Sequence, residues 1–264
     1  MSEEPVLYEV SDRIAILTLN RPDRLNAYTA LLGHHYFSYL ERADRDPDVN
    51  TIIVTGAGRG FCAGADMDLL QGISSGLGNQ HELRHEHQTW ALGLRKPLIA
   101  AVNGACAGLG FVMAAMADIR FSTPTAKFTT AFARRGLIAE HGIGWVLPKL
   151  VGPSRALDIL MSGRVFLGDE AHELGFVNHL AEPDELMGAA RAYANDIATN
   201  VSPKSIEVMK RQVWHGYELA MTESNEIADT EMTASLRRPD FTEGVQSFLQ
   251  RRSPEFDQLA PRSD

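Results

Sequence analysis

Two stretches of the chain could aim backbone N–H groups at one anionic atom. The first runs Ile52–Thr55, the loop Gly56-Ala57-Gly58-Arg59-Gly60, then Phe61-Cys62-Ala63-Gly64-Ala65-Asp66. The second runs Ile99–Val102, the turn Asn103-Gly104, then Gly108-Leu109-Gly110. Each reads as strand, turn and helix start, with small residues that leave the backbone exposed. Free amides and partial positive charge at such a start suit a phosphate or a developing oxyanion. A third stretch supplies an acid. Glu140-His141 lies between Leu137-Ile138-Ala139 and Gly142-Ile143-Gly144-Trp145. A carboxylate in that setting is partly desolvated, which raises its pKa toward the range of a general base. The same glutamate fits equally well as an N-cap or surface residue opening the next helix. On a helix, His141 would point about 100° away from Glu140, so the two would not share a target atom. In a loop they could act as acid and base around one water.

Other motifs lack the context their chemistry requires. Gly56-Ala57-Gly58-Arg59-Gly60 is not G-x-G-x-x-G and no helix follows it directly, so a dinucleotide site is not expected. Gly72-Ile73-Ser74-Ser75-Gly76 spells G-x-S-x-G, but no buried strand precedes it, and it reads as a loop. His81 and His85 stand four apart on an expected helix over 80–94, without H-E-x-x-H. His87 falls instead on the stripe of Leu83, Trp90 and Leu94, against the core or a pocket. No metal site is expected. Cys62 and Cys106 are the two cysteines and form no C-x-x-C, so they read as buried thiols in a reducing cytoplasm.

The elements that must hold these residues are legible in outline. Val6–Val10 and Arg13–Asn20 read as strands. In the second, Ile14, Ile16, Thr18 and Asn20 alternate with Ala15, Leu17 and Leu19, which suits a sheet covered on both faces. Thr29–Arg45 reads as an amphipathic helix, Thr51–Thr55 and Leu98–Val102 as buried strands, Gly108–Met116 as a buried helix and Asp118–Ser122 as another strand. Leu98–Ala117 carries no charge, yet Pro97 and Asn103 cut it into pieces too short to span a membrane. Beyond Gly152-Pro153 helical patterns dominate: Ser154–Met161, Gly168–Leu174, Asp184–Thr199, Pro203–Ala220, Met221–Leu236 and Phe241–Gln250. The expected division is an α/β core over residues 1–195 followed by a helical region over 196–264.

Composition narrows the partners. With 264 residues the chain can bury a core without disulfides or metals. Its 25 Lys and Arg against 34 Asp and Glu give a net charge of −9, which argues against nucleic acid. A small anion held by a few local arginines remains compatible. The polar, acidic start Met-Ser-Glu-Glu-Pro reads as neither a signal nor a transit peptide, and a cytoplasmic location is expected.

Several strings, in this order and spacing, resemble the crotonase superfamily, the enoyl-CoA hydratase/isomerase family. They are Asn20-Arg21-Pro22-Asp23-Arg24-Leu25-Asn26-Ala27, Gly60–Asp66, Ala100–Gly110, Ala117–Arg120 and Glu243–Arg252. The resemblance implies a spiral of ββα units with a C-terminal helical trimerisation region, and trimers commonly paired as hexamers. It implies an acyl-CoA thioester as substrate, with coenzyme A arriving as part of it and no separate cofactor. The amides of Ala65 and Leu109 would hold the thioester oxygen. Leu109, next to Gly108, stands where the family normally has glycine, which keeps the N–H and reshapes the acyl pocket. The adenine and phosphate end would lie near Arg24, Leu25, Ala27, Ala63 and Asp66, with Phe248 and Arg251 added by a neighbouring subunit. The acyl pocket would draw on 71–94 and Met113–Met116.

The two glutamates of the hydratases map to Val112 and Phe132, neither of which can hold or deprotonate water. Glu140 stands where several double-bond isomerases of the family carry a catalytic Asp. The expected activity is therefore a C=C shift through a thioester dienolate with Glu140 as acid and base. Two alternatives stand beside it: hydration or hydrolysis of a thioester or β-dicarbonyl by Glu140 with His141, and a non-catalytic protein that binds CoA esters.

Overall fold

The computed structural model describes residues 4–75 and 87–260. Six strands form the larger sheet, in the order β1-β2-β3-β5-β7-β10. They are β1 (Val6–Ser11), β2 (Ile14–Leu19), β3 (Thr51–Gly56), β5 (Leu98–Val102), β7 (Ile119–Ser122) and β10 (His179–Leu180). β1 pairs antiparallel with β2, and every later pairing in this sheet is parallel. A smaller sheet runs β4-β6-β8-β9. Its strands β4 (Gly60–Cys62), β6 (Ala105–Ala107) and β8 (Lys127–Thr129) are parallel, and β9 (Phe166–Leu167) returns antiparallel.

The two sheets are filled in alternation. β3 leads to β4 and then α2 (Met67–Ser74); β5 leads to β6 and then α3 (Leu109–Ala115); β7 leads to β8 and later α4 (Ile143–Val151). Each turn of chain thus supplies one strand to each sheet and then a helix, the expected ββα spiral. The short strands β4, β6 and β8 escape a reading by periodicity, because three residues carry no measurable period. Gly72, Ile73 and Ser74 belong to α2, so the expected loop there is a helix at least to Ser74.

Both faces of the larger sheet are covered. Ala15, Leu17 and Leu19 join the main core with α1 (Ala30–Arg45), α3 and the smaller sheet, while Ile14, Ile16, Ile53 and Ile99 face α7 (Leu186–Asn200) through Leu186, Ala190 and Ala194. Small residues on α7 allow this close approach. Asn50 and Thr51 reach across to the Ala198 and Ala194 carbonyls at 2.9 and 3.2 Å. The expected boundary after residue 195 falls inside α7. The remaining helices are α5 (Pro153–Ser162), α6 (Gly168–Glu173), α8 (Pro203–Gly216), α9 (Met221–Ser235) and α10 (Pro239–Gln250).

Three other expectations are corrected or fall outside the description. Gln88–Gly93 is a 3-10 helix, and His87 before it is exposed, not packed on the core. His81 and His85 lie outside the described residues. Met113–Met116 are wholly buried in and after α3 and are not among the residues lining the cleft described below. Among the described residues no group of His, Cys, Asp and Glu is arranged to hold a metal, and no helix is long and apolar enough to cross a membrane.

Candidate active site

The site begins with a loop whose shape the sequence enforces. Pro22–Arg24 form one 3-10 turn, and Leu25 and Asn26 follow with φ of 49° and 57°. Asn tolerates this left-handed region when its side chain finds local partners. Here the buried Asn26 accepts from the Arg21 N–H at 2.8 Å and donates to the Ala57 and Gly60 carbonyls at 3.0 and 2.7 Å. The turn is thereby pinned to β4. Arg21 donates to the Ala27 carbonyl at 2.5 Å and pairs with Asp66 at 2.9 Å. Burial alone would raise the Asp66 pKa, but the Arg21 hydrogen bond, the Asp68 amide and nearby positive charge outweigh it and hold the carboxyl below its ordinary value.

Around this anchor the first amide is set. The Tyr28 N–H donates to the Gly64 carbonyl at 2.7 Å, and the Asp66 N–H donates to the Tyr28 carbonyl at 2.9 Å. Ala65 sits between them, and among the described residues its own N–H has no protein acceptor. The same holds for Leu109, the first residue of α3. The two are brought together by glycines. Gly64 and Gly108 have φ of +94° and +51°, and a Cβ built on Gly64 would stand 2.9 Å from the Ala107 carbonyl oxygen and 3.6 Å from the Gly108 Cα. Only residues without a side chain permit backbones this close at such angles.

The acid comes from a third segment. Glu140 and His141 lie in a loop between the 3-10 turn Ala133–Arg135 and α4, whose N-cap is Gly142, so Glu140 is not the cap. His141 has φ 54°, a strained value for a residue with a side chain. His141 Nε2 is 3.7 Å from Glu140 Oε2, and the histidine side chain is 11% exposed against 37% for the glutamate. The helical geometry that would separate them is absent, and the two face one another.

One cleft of about 320 Å³ gathers these parts. Of the sequence-derived site residues, Arg24, Ala27, Ala63, Ala65, Asp66, Gly108, Leu109, Phe132 and Glu140 line it. Leu25 stands behind the lining, its carbonyl accepting from the Ala63 N–H at 3.0 Å. Phe248 and Arg251 lie elsewhere, at the end of α10, where Phe248 borders a separate groove. Sequence reasoning missed Gly64, Met67, Leu70, Arg135 and Leu137 as lining residues. Met67 and Leu70 were accessible from helical spacing after Asp66, and Arg135 from its distance to Phe132. Val112 is fully buried inside α3, and Phe132, 5% exposed, forms apolar cleft wall. Burial pushes the Cys62 thiol up to about 11 and raises Cys106 as well, so neither is a nucleophile. A larger hollow of about 850 Å³ lies beside α8 and the C-terminal segment, but its cations are paired internally, as in Lys204–Glu207 and Lys210–Asp118.

Two residues whose amides have no acceptor among the described residues line one cleft with a carboxylate, on a ββα spiral, and this combination points to a class. A family profile described as enoyl-CoA hydratase/isomerase matches residues 9–259, and the chain belongs to that family of enzymes, within the crotonase superfamily. It is 32% identical over 258 residues to a 1,2-epoxyphenylacetyl-CoA isomerase from Escherichia coli (strain K12), covering 96% of this chain and 98% of the relative. A solved enoyl-CoA hydratase from Mycobacterium marinum is 45% identical with a TM-score of 0.70, covering 80% of this chain and 98% of that one. A probable enoyl-CoA hydratase/isomerase from Mycobacterium abscessus superposes with a TM-score of 0.88 at 31% identity, covering 95% and 98%.

Proposed function

We propose that the protein moves a C=C bond in an acyl-CoA thioester, with Glu140 as both acid and base. The thioester oxygen accepts from the N–H groups of Ala65 and Leu109. Glu140 takes a proton from the carbon next to the carbonyl of a 3-enoyl thioester, and the charge spreads onto the thioester oxygen as a dienolate. The carboxyl group then returns the proton two carbons further along, giving the 2-enoyl isomer. Each amide donor aimed at the growing charge is worth about 3–4 kcal/mol. The CoA portion lies along Arg24, Ala27 and Ala63, with Leu25 behind them holding the Ala63 amide, and needs no separate cofactor. Asp66 is engaged by Arg21 and shapes this lip of the cleft rather than meeting the ligand with a free charge.

The observation that carries the reading is the composition of the cleft wall. Of the two carboxylates that line it, Asp66 is paired with Arg21, while Glu140 stands on the wall with Phe132. Phenylalanine at that place and valine inside α3 supply no second acid to hold a water. A panel of 2-enoyl, 3-enoyl and dienoyl CoA esters, read by absorbance and mass, tests it. Gain of 2-enoyl absorbance from a 3-enoyl ester supports the proposal; bleaching of a 2-enoyl ester, with gain of water by mass, refutes it. That second outcome belongs to the rival reading, which the His141–Glu140 approach of 3.7 Å favours: acid and base acting together on a water. Thermal stabilisation by CoA esters without turnover of any ester would reduce the site to binding alone.

Assembly into trimers, or hexamers built from two trimers, is part of the same proposal. Phe248 and Leu249 on α10 are 82% and 73% exposed and join Met232, Leu236, Phe241 and Val245 around an apolar groove of about 530 Å³. An exposed apolar surface of this kind marks a protein contact.

A further inference from the structure

The wall of the cleft that carries Glu140 also carries a cation that the described residues leave unneutralised. Phe132 caps the 3-10 turn Ala133–Arg135. Residues three apart in a 3-10 helix eclipse one another, so Arg135 shares the face of Phe132. Both line the cleft together with Leu137 and Glu140. The adjacent Arg134 turns away, donating to the Ser162 carbonyl at 2.9 Å. The other charged side chains of the cleft are matched: Arg24 stands 3.5 Å from Asp68, Asp66 2.9 Å from Arg21, and Glu140 3.7 Å from His141. The Arg135 guanidinium makes no hydrogen bond or ion pair with the described residues.

We infer that the preferred substrate is a thioester whose acyl group bears a carboxylate, with Arg135 as its counter-ion. This rests on the acyl-CoA reading above and names the acyl class within it. An unpaired guanidinium beside apolar Phe132 and Leu137 favours an anion with two oxygens in a fork, which a carboxylate supplies. The phosphates of CoA carry negative charge too, but they belong to the lip formed by Arg24, Ala27 and Ala63. Arg135 comes from the segment that delivers Glu140 and lines the same cleft with Phe132 and Leu137. A purely aliphatic chain would bury part of that guanidinium without answering it, which discriminates against such chains.

Titration calorimetry with free CoA, hexanoyl-CoA and adipyl-CoA decides the matter. The two esters have the same chain length and differ in a terminal carboxylate, and neither can isomerise. The wild type should bind adipyl-CoA about tenfold or more tightly than hexanoyl-CoA. Arg135→Met should erase the difference, Arg135→Lys should restore part of it, and free CoA should bind all three proteins alike. Equal affinity of the wild type for the two esters overturns the inference and leaves the isomerase proposal standing. Equal weakening of all three ligands by Arg135→Met assigns the guanidinium to the CoA phosphates and overturns it as well. Failure of free CoA and both esters to bind the wild type removes the acyl-CoA reading, and the inference falls with it.

Discussion

A single carboxylate separates the two chemistries open to this cleft. In the proposed isomerisation, with Val112 and Phe132 carrying no acid, proton transfer rests on Glu140. Glu140→Gln keeps the shape and removes the base. Isomerisation of a 3-enoyl-CoA should fall by about a hundredfold or more while the affinity for CoA stays within about twofold. Retention of turnover in the glutamine variant would remove Glu140 from the mechanism. Of the helix and loop placements that the sequence leaves open for Glu140-His141, the structure has the loop. The strained φ of 54° at His141 and its approach to Glu140 are consequences of the left-handed turn His141-Gly142, which no pattern of residue types announces.

At the scale of elements, the two amides are positioned by a contact between loops rather than by either loop alone. β4 and β6 are parallel neighbours with Cys62 opposite Cys106, and each leads through Ala and Gly to one of the amides. Matching strand register therefore fixes matching amide positions. Gly64 is a close point of that contact, where a side chain meets the Ala107 carbonyl at 2.9 Å with φ at +94°. Gly64→Ala should cost roughly 1–3 kcal/mol of stability, read by urea unfolding, from backbone strain at this angle. It should also lower kcat on a 3-enoyl-CoA by tenfold or more, because the two amides part. Unchanged kcat in a folded variant would show that the amides do not act as a pair. The long strands and helices were legible from alternation and stripe. The three-residue strands that set this register were not, since their pairing partners are far away in the chain.

Across the whole molecule, charge and apolar surface divide the labour. The larger sheet is sealed on both faces, by the main core and by α7. Apolar side chains of α9 and α10 remain open, and α9 has no buried residue at all. Light scattering on the purified protein should give the mass of a trimer or a hexamer. Phe248→Asp, placing a charge on that face, should shift it toward monomer without lowering the melting temperature of the core. A wild type that is monomeric at micromolar concentration would refute assembly through this face.

By itself, the sequence determined the type of fold and the parts list. Buried β-branched runs and the order of its glycine-rich turns are written in residue types and spacing, while the pairing of Ala65 and Leu109 with Glu140 is what the family resemblance implies. Only the tertiary structure decided that Glu140 and His141 share a loop, that Asp66 belongs to Arg21, and that Arg135 lines the same cleft as Glu140. Local preference and periodicity act over a few residues, whereas these outcomes depend on contacts between segments far apart in the chain. In those contacts one side chain takes a partner and another is left for the ligand.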